Sequence, residues 1–430
     1  MITAGSSRLE AWDSGTGPSL VFIHGVGTSG EMWRAAREKG RMRQALFSIA
    51  IATVLVATAN SQSSAAFSKW SPGTLDIHQI NTGRGNAAFL MLPDGTTLLI
   101  DAGDGGNPPP RGTAPRPDAS RTPAEWIVRY LRAAGATQVD YAMLTHFHND
   151  HMGAMPEVMK SIPVRTMLDR AWPDYDYPSR DHAEFKRSDF VAYRELLRQK
   201  QASGERFVPG RADQIVLRHV PAKYPEFRVQ NVLANGEVWT GTGAATQRLF
   251  PDLETVPQAD WPTENMTSLG IRLSYGKFDY YSGGDIPGRP RPGYPQWHDV
   301  ETPVAKVVGQ VEAAVLNHHG NRDSTNASWV SALRPRLWII PVWSSDHPAH
   351  DVLDRMLSER LYPGPRDVLA TNMIEANRIV IGPMLDRLAS AQGHIVIRVS
   401  AGGASYQVFI LDDTADTYRV IKTIGPFVSE

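Results

Sequence analysis

The 430-residue sequence contains no cysteine. That excludes disulfides, thiolate nucleophiles and Cys-type zinc sites together. A metal here must sit on His, Asp and Glu, which suits a catalytic site better than a structural one. A strong charge of either sign is also missing, since Lys+Arg 44 against Asp+Glu 45 leaves a net charge of -1. No global field recruits nucleic acid or an anionic membrane. A slight Lys/Arg excess across 184–228 is too spread out to mark a nucleic-acid face. The apolar run from Ala45 to Ala59 is shorter than the ~20 residues a membrane span needs, so no span is expected in the mature chain.

That run has another reading. Arg41 and Arg43 precede it and "SSAA" follows, which is the order of a secretory signal peptide. Residues 42–66 are therefore expected to export the protein, to the periplasm or beyond the cell. Residues 1–41 stand in front of that signal. They include "GPSLVFIHGVGTSGEMW", which resembles the opening strand and oxyanion loop of an α/β-hydrolase over residues 9–33. No G-x-S-x-G nucleophile elbow follows anywhere, so that loop has no triad to serve. The expectation is a stray fragment, with translation starting at Met42. An N-terminal reading of the native protein that begins upstream of Met42 would count against it.

From Leu75 onward, short apolar runs alternate with Gly, Pro and Asp. "TLDIHQI", "AAFLML" and "TTLLIDAG" read as strands, with "PDG" at 93–95 turning between the last two. "TPAEWIVRYLRAAG" has a Thr cap, an early Pro and a closing Gly, and reads as a helix. "VDYAMLTH" is the next strand. The stretch 156–230 reads as mixed helix and loop, with "DFVAYRELLRQKQ" its clearest helix. "SLGIRLSYG" and "FDYYSGGD" form a strand pair turning at Gly276-Lys277, followed by "EAAVLNHHG", a helix near "NASWVSALR" and "LWIIPVW". Strand runs at both ends with helices interspersed predict two sheets covered by helices rather than one parallel sheet.

The chemistry concentrates in "LTHFHNDHMGA", residues 144–154, three histidines and an aspartate within six positions at a strand end. His146 and His148, two apart, can point to one side of an extended backbone. Asp150 and His151 can turn toward a second position. Two ligand pairs would hold two ions if more ligands converged, and two-metal sites keep their ions ~3.5–4 Å apart. Asp285, ending "YYSGGD", is typed to bridge them, and "LNHHG" adds His318 and His319.

With these motifs in hand, the chain resembles the metallo-β-lactamase superfamily. The finer resemblance is to the hydrolase domain of the bacterial competence DNA-uptake protein (ComEC-like) and its phosphorylcholine-esterase relatives. It rests on "TGRGNAAFLMLPDGTTLLIDAG", "LTHFHNDHMGA", "ENMTSLGIRLSYGKFDYYSGGD", "VLNHHG" and "DHPAHDVLDRM", in that order across residues 75–357. The resemblance implies His146 and His148 at one metal, Asp150 and His151 at the other, Asp285 bridging, and one of His318 and His319 as a ligand. His319 is favoured because Gly320 follows it, which leaves His318 facing substrate. Asp101 reads as a supporting group, and His347 and His350 as active-site candidates, although Asp346 or Ser345 also reads as a helix cap there. The chain departs from the pattern twice. Only His182 and His219 stand between the cluster and Asp285 as a further ligand, with Asp169 as a carboxylate substitute. In addition, Asn86 replaces an acid in "GRGN".

The expectation is thus an α+β fold, a four-layer αββα metallo-β-lactamase sandwich over residues 67–430. It would be an exported hydrolase working through a metal-bound hydroxide on two divalent ions, zinc or manganese. Asp150 and His318, with His347 and His350, would be the catalytic side chains. A small-molecule or short phosphodiester substrate is favoured. Lactone or β-lactam hydrolysis, or a non-catalytic exported metal-binding protein, are the alternatives.

Overall fold

The structure, a computed structural model, describes residues 2–4, 7–9, 66–106 and 113–430. The chain divides into two units, Met1–Gln62 and Ser63–Glu430. In the first, β1 (Ile2–Ala4) and β2 (Ser7–Leu9) form an antiparallel pair. The rest of the expected stray fragment, and all but the last residue of the signal-like segment, lie outside the described residues. No helix among those described is long and apolar enough to cross a membrane.

The second unit is built in strands β3 (Leu75–Gln79), β4 (Ala88–Met91), β5 (Thr97–Ile100), β6 (Val139–Met143), β7 (Val164–Asp169) and β8 (Ser203–Arg206). Then come β9 (Phe227–Ala234), β10 (Glu237–Trp239), β11 (Thr246–Arg248), β12 (Gly270–Tyr275), β13 (Phe278–Gly283), β14 (Ala313–Val315), β15 (Leu337–Ile340) and β16 (Asp367–Ala370). The chain closes with β17 (His394–Val399), β18 (Ser405–Leu411) and β19 (Val420–Val428). One nine-stranded sheet has the order β19-β18-β17-β3-β4-β5-β6-β7-β8, and an eight-stranded sheet the order β11-β10-β9-β12-β13-β14-β15-β16. Each changes from antiparallel to parallel pairing along its width, at β5-β6 in one and β13-β14 in the other.

Three apolar layers make the sandwich, and the period-2 alternation of side chains assigns residues to them. Leu90, Leu98, Tyr141 and Met143 face the inter-sheet core with Ile271, Tyr280, Leu337 and Ile339. Their chain neighbours Phe89, Leu99 and Ala142 face helices on one side, and Tyr281, Trp338 and Ile340 face helices on the other. The covering helices are α1 (Pro123–Ala133), α2 (Asn149–Met152), α3 (Met155–Ser161), α4 (Ser188–Arg198), α5 (Glu301–Val308), α6 (Ala327–Leu333), α7 (His350–Met356) and α8 (Glu375–Ile381). This is the αββα architecture read from the sequence. Thr122 caps α1 in a capping box with Glu125, an arrangement worth about 1 kcal/mol. The 156–230 stretch holds more strand than its pattern shows, because β7 and β8 extend the first sheet. At α7, the expected caps Asp346 and Ser345 are replaced by Ala349, which makes no side-chain cap bond.

Candidate metal centre

The titratable cluster gathers in loops at strand ends. The 144–151 loop leaves β6, Asp285 follows β13, and His318 and His319 follow β14. In the first sheet, Asp101 follows β5 with φ 58, a left-handed conformation that Asp and Asn accept better than most residues. The next loop is pinned from below. Gly85 has φ 90, and a Cβ there would lie 1.9 Å from the Asp150 carbonyl oxygen, so only glycine lets the 83–86 turn pass. Beside it, the Asn86 N–H donates to the same carbonyl at 2.9 Å.

Asp101 is fully buried and organises the cluster from beneath. Its Oδ1 accepts the Thr145 N–H at 2.8 Å. Its Oδ2 accepts from Thr145 Oγ1 at 2.8 Å, Asn86 Nδ2 at 2.9 Å and His151 Nδ1 at 2.7 Å. Asn86, standing where an acid was expected, is therefore a donor to a carboxylate, a part that a second acid could not take. The proton fixed on His151 Nδ1 leaves Nε2 as a lone pair, the carboxylate–histidine arrangement that orients a ligating imidazole. His319 is fixed in the same sense, its Nδ1–H donating to the Pro341 carbonyl at 2.9 Å.

The two Nε2 atoms face each other at 3.1 Å. Asp150 Oδ2 stands 3.1 Å from that of His319, and Asp285 Oδ1 3.1 Å from that of His151. One ligand atom from each of Asp150, His151, Asp285 and His319 lies within 4.8 Å of the other three. Two lone pairs so close repel unless a cation shares them, and two nitrogens each ~2.05 Å from a tetrahedral ion lie about 3.3 Å apart. This donor set fits a divalent metal. Proton equilibria report the same crowding. Burial opposes charge on His151, yet Asp285, Asp101 and Asp150 outweigh it and raise its pKa well above the usual imidazole value. Burial likewise raises Asp285, but His151, His319 and His318 hold it well below the carboxylate range.

A second group adjoins the first through Asp285, whose Oδ2 lies 3.9 Å from His146 Nε2 and 3.8 Å from His318 Nε2. His146 is fully buried, its Nδ1 resting 3.2 Å from Thr145 Oγ1, and its Nε2 faces His148 Nδ1 at 3.1 Å. Burial, then the neighbouring His151, holds His146 well below its ordinary pKa. His148 is half-buried, with Nε2 3.9 Å from Glu184 Oε1. His318 has its Nδ1 2.6 Å from Asp323 Oδ1. Burial would lower its pKa, but Asp285 and Asp323 raise it to about 9.

His347 lies one layer out, buried, its ring stacked on His319 at 4.8 Å and edge-on to Trp343 at 5.0 Å. Burial, then His319, lowers its pKa to about 3, so it packs as a neutral ring. The structure separates His350 from these residues. It is exposed at the first turn of α7 and makes no hydrogen bond or ring contact with the cluster. Asp169 is no substitute ligand either, because its carboxylate accepts from Ala171 N, Trp172 N, Tyr175 Oη and Tyr193 Oη. His182 faces Glu264 at 3.7 Å and His219 faces Asp140 at 3.9 Å, neither of them in the cluster.

Residue type and spacing alone do not mark Thr145, Glu264, Asn265 or Asp323. Glu264 accepts the Phe147 N–H at 2.7 Å, between the two histidines, and pairs with buried Arg170 at 2.6 Å. Glu264 and Asn265 open the stretch "ENMTS" ahead of β12. Tyr177 and Pro178 line a cleft of about 340 Å3 with Arg248, Asp252 and Trp261.

Residues 81–231, which carry β4 to β8 and the histidine loop, match the family described as the Metallo-beta-lactamase superfamily. It is over those residues that the chain carries a metallo-β-lactamase superfamily domain. Solved structures similar to it include CmlA, a diiron beta-hydroxylase from Streptomyces venezuelae, at 13% identity and TM-score 0.37 over 76% of this chain and 54% of that one. The metallo-beta-lactamase SMB-1 is similar at 14% identity and TM-score 0.33, over 66% of this chain and 82% of that one. ST1585 from Sulfolobus tokodaii, an archaeal metallo-beta-lactamase superfamily protein, gives 14% and 0.29 over 56% and 77%. This chain thus spans about half the length of CmlA. No curated protein matches it.

Proposed function

We propose that the protein is an exported dinuclear hydrolase that cleaves a phosphodiester or small phosphoester. The observation that carries the dinuclear reading is Asp285. Its Oδ1 lies 3.1 Å from His151 Nε2, and its Oδ2 lies within 3.9 Å of His319, His318 and His146. A carboxylate so placed bridges two positions. With it, His146 and His148 would hold one ion, and Asp150, His151 and His319 the other. Two divalent ions held there would supply Lewis acidity for hydrolysis.

The remaining work falls to the chain's own groups. Asp101 and Pro341 fix the two ligand imidazoles by their Nδ1 protons, so no reorganisation accompanies binding. Asp150 orients the attacking water besides ligating. His318, aligned by Asp323 and partly open to solvent, is the side chain that meets the substrate. Buried Trp343 and His347 exclude water behind His319. A phosphodiester is favoured by the subgroup motifs, and a small one by the near-neutral charge. Export rests on the signal-like segment 42–66.

The test is metal content together with turnover of bis(p-nitrophenyl) phosphate, for the wild type, Asp285→Ala and His151→Ala. About two metals per chain, with turnover lost in both variants, is expected. Two metals with turnover of lactones or β-lactams instead would move the substrate assignment. Metal bound with no turnover on any ester, amide or phosphodiester would leave a binding protein.

A further inference from the structure

The turn that carries the late histidines has a backbone that side chains resist. His318 (φ 47), His319 (φ 54) and Gly320 (φ 76) are left-handed in succession, and Thr325 (φ 53) closes the same loop. For residues with a Cβ this conformation is costly, and it persists only where the surroundings over-determine it. Glu301, the first residue of α5, is fully buried against this loop. Its Oε1 accepts the Thr325 N–H at 2.7 Å and Asn317 Nδ2 at 2.8 Å, and its Oε2 accepts the Asn326 N–H at 2.8 Å. Two of these donors are backbone amides, so their direction is fixed. The bonds join the residue before His318 to the residue that caps α6, and Ser324 Oγ donates to the Asn317 carbonyl at 2.8 Å across the same neck. The carboxylate also abuts the loop that leaves Asp285. A Cβ at Gly288 would lie 1.9 Å from Glu301 Oε2, and the Glu301 N–H donates to the Pro287 carbonyl at 3.1 Å. Glu301 thus sits where the Asp285 loop meets the His318–His319 loop.

We infer that Glu301 is a positioning residue for this half of the centre: by closing the 317–326 loop against the 285–288 loop, it holds His319 Nε2 and Asp285 Oδ2 at the 3.6 Å spacing in which they converge on a metal. The inference rests on the metal-binding part of the reading above, and on neither the substrate nor the number of ions. Glu301 bonds no ligand itself and acts through the backbone on either side of them. Its role is not that of a stabilising ion pair. Burial, only partly offset by the three hydrogen bonds, pushes its carboxyl up to about 7. Asp299, just before α5, adds to that rise. The other ionisable groups around it are Tyr281 of β13, His318 and Asp323 within the turn, and Arg355 of α7, which donates to the Ser324 and Thr325 carbonyls. An acid kept ionised against its burial serves geometry at the expense of stability.

Chelator competition for zinc on the metal-stripped full chain, at pH 8.5 and pH 6, tests this without turnover; the tight step is the one assigned to the His151–His319 group. Glu301→Gln keeps the size of the side chain but turns an NH2 group toward at least one of the three donors. At pH 8.5 the tight step should weaken about tenfold or more in Glu301→Gln, and further in Glu301→Ala. The metal-free Glu301→Gln protein should nevertheless melt no lower than wild type at that pH. Stability from a carboxyl raised in the fold is complete below its ordinary 4.5 and is lost as pH rises through 7, and the amide escapes that loss. At pH 6 the wild-type carboxyl is mostly neutral, so the affinity ratio of wild type to Glu301→Gln should shrink toward one. Protonation of the histidines is common to both proteins and cancels in that ratio. Far-ultraviolet circular dichroism shows that each variant is folded. Zinc affinity within twofold of wild type in the folded variants would overturn the inference and leave the metal centre standing. Weaker binding by Glu301→Gln together with a lower melting temperature at pH 8.5 would also overturn it, because the residue would then serve stability alone. A wild type that binds no zinc would overturn the metal reading itself.

Discussion

Asp101 touches no substrate and binds no metal in this arrangement, yet replacing it should cripple the centre. The informative variant is Asp101→Asn. Asparagine accepts the left-handed backbone at φ 58 as readily as aspartate and has nearly the same volume, so strain and packing stay constant. What changes is acceptor capacity. One carboxylate oxygen now receives three donors, from Thr145 Oγ1, Asn86 Nδ2 and His151 Nδ1, and the other receives the Thr145 N–H. In either orientation of the new amide, an NH2 group meets an N–H or O–H that has lost its acceptor. If the amide nitrogen faces His151, the Nδ1 proton is released and the tautomer that aims a lone pair at the metal is no longer enforced. Groups in this role change metal affinity by about 10–100-fold, which is about 1.4–2.7 kcal/mol. Each charge-assisted hydrogen bond lost is worth about 1.5–3 kcal/mol to folding as well. Zinc affinity of the tight step, measured by chelator competition at fixed pH, should therefore fall by at least tenfold. The metal-free protein should melt several degrees lower. A zinc affinity within twofold of wild type, in a folded protein, would refute the argument that Asp101 sets the His151 tautomer.

Acid should destabilise the metal-free protein through histidines far from the centre. Burial lowers His78 to about 4 and His394 to about 3, and His394 Nδ1 accepts the Asn81 N–H at 3.0 Å, so it must stay unprotonated. Both folded values lie below the unfolded 6.5, so this stability is complete above pH 6.5 and is lost as pH falls toward 4; His78 alone accounts for about 3 kcal/mol. Urea unfolding at pH 7, 5.5 and 4.5 should show the loss, and a flat profile would contradict it. Arg170→Met should cost about 3–5 kcal/mol by stranding the buried Glu264 carboxylate, whereas Arg170→Met with Glu264→Gln should recover part of it. Equal Tm values for the single and double variants would show that the pair is not coupled.

The sandwich was legible where a strand carries its own pattern. "LWII" and "AAFLM" are apolar on both faces because helices cover one side and the second sheet the other, and such runs announce buried strands. β8 carries no pattern at all. "SGER" pairs with β7 at the sheet edge, where exposed polar residues suffice and backbone pairing with a neighbour decides the structure. β7 itself, "VRTMLD", was hidden because Arg165 and Asp169 break its apolar face. Helix α1 was the opposite case: its Thr, Pro and Glu lie within four residues, and local chemistry set both its start and its face.

The centre divides along the same line. Metal ligands are dense in rare residue types, so His146, His148, Asp150 and His151 stand out within six positions, and the structure brings His151 and Asp150 to Asp285 and His319 from two other strand ends. The groups that orient them are ordinary Thr, Asn and Asp residues whose meaning comes only from what they face. Asn86 looked like a lost acid. Beside the Asp101 carboxylate, which already accepts three other hydrogen bonds, an acid would have been the defect. His350 shows the converse, a residue of the right type three positions from His347 that stands exposed at the start of α7. Residue type finds candidates for a metal site. Which of them ligate is decided by the acceptors and carbonyls beneath, and here Asp101 and Pro341 select His151 and His319 by holding the one proton that each must keep turned away.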